Sequence, residues 1–127
     1  MKLSERDRSV LLHMVKYCDE IEEFVERFGD DFDVFCIDKA YKGACSLDIL
    51  QIGELSVSLT PEFKEETKEI PWRDIKDMRN VVAHGYGSLD ADTTWRTIKE
   101  DIPELKKFCL EKLQADTLQQ KEEHEPT

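Results

Sequence analysis

The sequence predicts an all-α domain, and three observations carry that expectation. Charged residues fill 37% of the 127 positions, the chain holds only five glycines and four prolines, and apolar residues recur at steps of three and four. That composition suits solvated helices with one buried stripe better than a turn-rich sheet. A chain of this length can enclose one hydrophobic core but not two. One domain is therefore expected over residues 1–113, followed by a polar tail.

The first element is expected over about Glu5 to Phe28, where Leu11, Met14, Cys18, Ile21, Val25 and Phe28 form one stripe. Ser4, followed by Glu5 and Asp7, supplies a cap and favourable charge at its start, and Gly29 with Asp30 and Asp31 stops it. Next comes a helix with two apolar faces. One face runs through Tyr41, Cys45, Ile52, Leu55 and Leu59 with Asp48 interrupting it, and the other through Ile37, Ala44 and Leu47. Two such faces call for two neighbours, which makes a homodimer a reasonable expectation.

Thr60-Pro61-Glu62 reads as cap, first helical position and dipole-favoured acid, opening a short helix through about Lys68. Pro71 ends it and starts the next, a helix with the stripe Ile75, Met78 and Val82 and the polar residues Arg73, Lys76, Asp77 and Asn80. Gly85 and Gly87 are its expected terminators. Asp90 caps a last long pattern through Trp95, Ile98, Ile102, Leu105 and Cys109, in which Pro103 should force a kink or a restart. Beyond Leu113, residues 114–127 turn polar and read as frayed or disordered.

Charge limits the function classes. With 29 acidic against 18 basic residues and a net charge of −11, tight non-specific nucleic-acid binding is not expected. Arg73, Lys76 and Arg79 still recur every three residues and could form a local strip for phosphate. The same acidity would suit a basic protein partner. Cys18, Cys36, Cys45 and Cys109 include no C-x-x-C pair. They read as reduced, mostly buried thiols of a cytoplasmic protein. Cys36 and Cys45 have no histidine at ligand spacing, so no zinc site is expected. No apolar run approaches the ~20 residues that span a bilayer.

The stretch with the most chemistry is Arg79-Asn80-Val81-Val82-Ala83-His84-Gly85-Tyr86, an R-x4-H-x-Y spacing where a helical pattern ends. Histidine moves protons near neutral pH, and the arginine fork holds and neutralises phosphate. Together they suit metal-free cleavage of RNA, with no cofactor. A base must take the ribose 2′-hydroxyl proton, a cation must stabilise the phosphorane, and a donor must reach the leaving oxygen. One octet has one histidine, so two octets facing across a dimer axis would make a more complete set.

A purely structural reading stands beside this one. Arginine and histidine near a helix end favourably meet its dipole, Gly85 is an ordinary stop, and Tyr86 could pack as an amphipathic ring. His13 and His124 read as surface residues outside any site. Asp48 and Glu54 read as structural carboxylates at a dimer axis or beside the arginine, and Trp72 and Trp95 as core or interface packing.

The octet does not stand alone. Arg6-Asp7-Arg8, Leu50-Gln51-Ile52-Gly53-Glu54-Leu55, Ile70-Pro71-Trp72-Arg73, Met78-Arg79-Asn80 through Tyr86, and Asp101-Ile102-Pro103-Glu104-Leu105 follow in order. Across nearly the whole chain these resemble the HEPN superfamily, and within it the HepT-like toxins of two-gene, type VII toxin–antitoxin modules. The resemblance implies an up-and-down helical bundle that dimerises with both R-x4-H-x-Y elements in one cleft. It implies Arg79 and His84 as catalytic pair, Asn80 as polar helper and Tyr86 as third motif residue. It further implies a minimal nucleotidyltransferase as antitoxin, which silences the ribonuclease by moving AMP from ATP onto Tyr86. The alternative is a non-catalytic subunit whose octet serves only for docking and modification.

Overall fold

A computed structural model describes residues 2–83 and 90–124, leaving out the side chains of 80–83, 123 and 124. The described residues are helical, with no strand among them. Helix α1 spans Glu5–Phe28, as its stripe and cap require. The Ser4 Oγ accepts the Asp7 N–H at 3.0 Å. At the other end Gly29 takes φ 121°, a left-handed conformation that costs glycine nothing.

The second segment differs from the sequence expectation, because it is two helices. α2 covers Phe32–Ile37 and α3 covers Lys39–Val57. Asp38 sits between them in extended backbone and caps α3, its Oδ1 accepting the Tyr41 N–H at 3.1 Å. Ile37 thus falls on another helix from Ala44 and Leu47 and stands 84% exposed. A short polar residue that can bond its own downstream backbone outcompetes helix continuation there.

Thr60 and Pro61 open α4, Pro61–Glu66, and α5 runs Trp72–Ala83. Asp90 caps α6, Ala91–Arg96, which passes through a π turn at Thr97–Asp101 into α7, Ile102–His124. Pro103 accounts for the π turn. In an unbroken α ladder its ring would strike the carbonyl four residues back, and one wider turn relieves that clash without ending the helix.

α1 lies between α3 and α7 and runs antiparallel to both. Its beginning meets the end of α3, where Asp7 accepts the Thr60 N–H at 2.8 Å and the Thr60 hydroxyl at 2.7 Å. Its end stacks Phe28 on Tyr41 at the start of α3. Lys106 of α7 pairs with Asp19 and Glu22, while Leu3 and Arg8 meet Asp116 near the other end of α7. This is the up-and-down arrangement, with Leu11, Met14, Cys18, Ile21, Ile52, Ile102 and Cys109 at its centre. Aromatic clusters close both ends, Phe35 and Tyr41 with Trp95 at one, and Phe63 with Trp72 and Phe108 at the other.

Residues 114–127 read as frayed or disordered in the sequence, and the described part of that stretch lies in α7. α7 continues to His124, and Asp116 within that stretch is 2% exposed. Its carboxylate accepts the Leu3 N–H at 2.9 Å and the Arg8 Nε–H at 2.8 Å. A polar sequence hid an anchor whose partners lie more than 100 residues away. No helix among the described residues is long and apolar enough to cross a membrane.

Candidate functional site

The helix that carries the arginine is fixed at its start by packing. Trp72 is buried against Phe63 and Phe108, and its indole N–H donates to the Thr67 hydroxyl at 3.0 Å. Ile75 is buried one turn on. Both tryptophans therefore serve the core, Trp95 through its contacts with Phe35 and Tyr41.

Further along, α5 presses on α3 at Gly53. A Cβ on Gly53 would lie 3.1 Å from the Arg79 backbone nitrogen, 3.1 Å from the Ile75 carbonyl and 3.4 Å from the Arg79 Cβ. Only a hydrogen fits there, so the glycine sets how close the two helices come and where the Arg79 side chain starts. α5 extends to Ala83, which leaves Arg79 just over a turn from its end.

From that seat the guanidinium reaches Glu54, with Nη1 3.7 Å from Oε1. Arg79 is 34% exposed and Glu54 54%. A pair this wet and this long contributes roughly 0–1 kcal/mol, so it can orient the guanidinium yet yield it to a phosphate. Glu54, which the sequence left between two structural roles, is thus the carboxylate beside the arginine. Arg73 and Lys76 are exposed on the same helix.

The rest of the octet is not described by the structure. His84 and Tyr86 lie outside the described residues, as does the side chain of Asn80. The geometry therefore concerns the arginine half of the R-x4-H-x-Y spacing. His13 stands exposed on α1, its Nδ1 2.7 Å from the Ser9 carbonyl, away from any site.

Asp48 is buried on α3 facing α1. Burial first, then a hydrogen bond shared with Glu20 of α1 and that residue's charge, push its carboxyl from 3.8 up to about 7, with Lys16 opposing. Its Oδ2 finds no partner among the described residues. Sequence spacing marked Asp48 as an intruder in an apolar stripe, but Glu20 belongs to another helix and only the fold brings the two together.

Comparison with known proteins agrees with this architecture. A family profile described as ribonuclease HepT-like matches residues 14–111. A probable ribonuclease HepT of Thermococcus cleftensis is 38% identical over 106 residues, covering 84% of this chain and 93% of the relative. A protein of Caldanaerobacter subterraneus provisionally named an RNase is 33% identical over 109 residues, covering 86% and 96%. One of Methanocaldococcus jannaschii, also provisionally named an RNase, is 28% identical over 106 residues, covering 83% and 95%. No solved structure gives a significant match. The profile spans the bundle from α1 to α7, Gly53 and Arg79 included, and this chain belongs to the HepT-like ribonuclease family of the HEPN superfamily.

Proposed function

We propose that this chain is a metal-independent endoribonuclease, the toxin of a toxin–antitoxin pair, acting as a homodimer. The observation that carries the reading is Arg79, seated over Gly53 with its guanidinium partly exposed and only loosely held by Glu54. Such a cation can bind the scissile phosphate and stabilise the charge that grows on it. His84 takes the proton of the 2′-hydroxyl. The 2′-oxygen then bonds to phosphorus as the bond to the 5′-oxygen breaks, leaving a 2′,3′-cyclic phosphate and a 5′-hydroxyl. The proton for that leaving oxygen comes from the second subunit's histidine, and Asn80 assists beside the arginine.

A second copy is supported by α3. Leu47, Leu50, Glu54 and Val57 follow three-four spacing on one face, with Leu47 and Val57 each close to half exposed. An apolar stripe that passes through the partner of Arg79 is where a dimer would bring two arginines together. Regulation follows from Tyr86. A nucleotidyltransferase partner directs the phenol oxygen at the α-phosphorus of ATP, pyrophosphate leaves, and AMP stays on the ring. Its bulk and charge then repel RNA.

The test is RNA cleavage by the unmodified chain in EDTA. Arg79→Ala and His84→Ala are each expected to lose about 100-fold or more in rate. Sensitivity to EDTA, or full activity in both variants, overturns the reading. Intact mass after coexpression should show one AMP per chain in the wild type and none in Tyr86→Phe. If the wild type takes AMP but cuts no RNA, the chain is the docking subunit, the role its acidity favours.

A further inference from the structure

α5 has a second working face. Beside its contact with α3, a cleft of about 200 Å³ opens between α5 and the junction of the π turn with α7. Its floor is apolar, built from Ile75 and Met78 of α5 and Ile102 and Leu105 of α7, with Pro71 at one end. An apolar cavity of about 150 Å³ is enough for a benzene ring, so this one accepts a leucine or an aromatic side chain.

The charged residues described on its rim are all acidic. Glu69 and Asp74 stand on the α5 side, Asp101 and Glu104 on the α7 side, and no lysine or arginine among the described residues lines the cleft. All four are exposed, and none has an ion-pair partner within 4 Å among the described residues. Partial burial, followed by the charges of Glu100 and Glu104, holds the Asp101 carboxyl above the usual range. Arg96 opposes that shift and Asp74 adds to it. A rim of like charges around an apolar floor rejects phosphate and anionic lipid, and accepts cations set on either side of an apolar group.

We propose that this cleft docks a segment of the partner protein in which one large apolar side chain is flanked by lysine or arginine. The inference rests on the nucleotidyltransferase reading and names where that partner grips. Met78 in the floor immediately precedes Arg79, and α5 ends at Ala83, three residues before Tyr86. A partner seated here holds the very helix from which the arginine and the modified tyrosine follow. The acidic rim disfavours RNA in the cleft itself, so the partner and not the substrate occupies it.

The test uses the full chain and a purified minimal nucleotidyltransferase as the partner, with binding measured by calorimetry at low and high salt. Asp74→Lys with Glu104→Lys reverses charge on both sides of the cleft. Asp74→Asn with Glu104→Gln only removes it. Glu23→Lys with Glu26→Lys makes the same charge change on the exposed face of α1, away from the cleft. The cleft reversal should weaken binding about tenfold or more and flatten its salt dependence, with the neutral pair between it and wild type. The α1 pair should stay within about threefold of wild type. Equal weakening by both reversals would mean net charge alone matters and overturns the docking site. Unchanged affinity in the cleft reversal, with wild type binding and taking AMP, overturns the docking site while leaving the modification reading intact. A wild-type chain that neither binds the partner nor takes AMP overturns both.

Discussion

A carboxyl at Asp48 occupies a place where charge is poorly tolerated. Two carboxyls that share a hydrogen bond need a proton between them, and at Asp48 burial and Glu20 keep that proton on to about pH 7. The unfolded chain gives the proton up near 3.8, the ordinary value. The native state therefore binds more protons in between, and Asp48's contribution to stability, complete below the ordinary value, drains away as pH rises through about 7. An asparagine in its place carries no such proton, and its amide can donate to Glu20 without taking one up. Asp48→Asn is expected to stabilise the fold at about pH 8 by on the order of 1–3 kcal/mol, and by clearly less at about pH 5. Denaturant unfolding at both pH values checks this. A gain independent of pH would mean the carboxyl is not protonated in the fold.

Between α3 and α5, one missing side chain decides the geometry. Gly53→Ala would gain up to ~1 kcal/mol in helix propensity. Its methyl would meet two backbone atoms at 3.1 Å, and backbone cannot swing aside as a side-chain tip can. The helices must part, at a cost of about 1–3 kcal/mol, so the net effect is loss of stability. Arg79 moves with its helix, and RNA cleavage by the unmodified chain should fall about tenfold or more because phosphate positioning is sensitive to small displacements. Thermal melts and cleavage rates on one preparation test both effects. Stability and activity retained in Gly53→Ala would show that the contact is slack. The caps of α1, α4 and α6 were legible from Ser4, Thr60-Pro61 and Asp90, since capping is local chemistry. The break at Asp38 was not, because Asp38 can cap a helix or ride on one, and apolar residues lie within three positions on either side of it. Pro103 announced a disturbance in the chain, but a kink, a restart and a wider turn all relieve its clash, and the sequence does not choose among them.

The whole bundle is tied shut by its two ends. Asp116 accepts from Leu3 and Arg8, so α7 beyond Leu113 is part of the fold and not an appendage. Burial opposes ionisation there, but those two donors keep its carboxyl below the ordinary range. The contribution is present above that range and is lost as pH falls below it. Asp116→Ala leaves the buried Leu3 N–H unpaired, which should cost about 1–3 kcal/mol, and a chain cut after Leu113 should lose at least as much. Hydrogen exchange at Leu3 and thermal melts report on this directly. An unchanged melting temperature in both would return residues 114–124 to the status of a tail. Composition could not reveal this anchor, because one aspartate in a polar run looks like every other. Spacing singled out Arg79 in the octet, but its seat on Gly53 and its pairing with Glu54 were not legible, because α3 and α5 meet only in the fold. The acidic cleft was not legible either, because its walls come from helices that meet only in three dimensions. Three of the four cysteines, Cys18, Cys45 and Cys109, are buried, and burial first of all pushes each thiol up to about 12. Thiolate is the reactive form, so a maleimide dye should find Cys36 alone. The native chain thus comes with one labelling handle at the α2–α3 corner, and in a dimer two dyes would report the separation of the subunits by energy transfer.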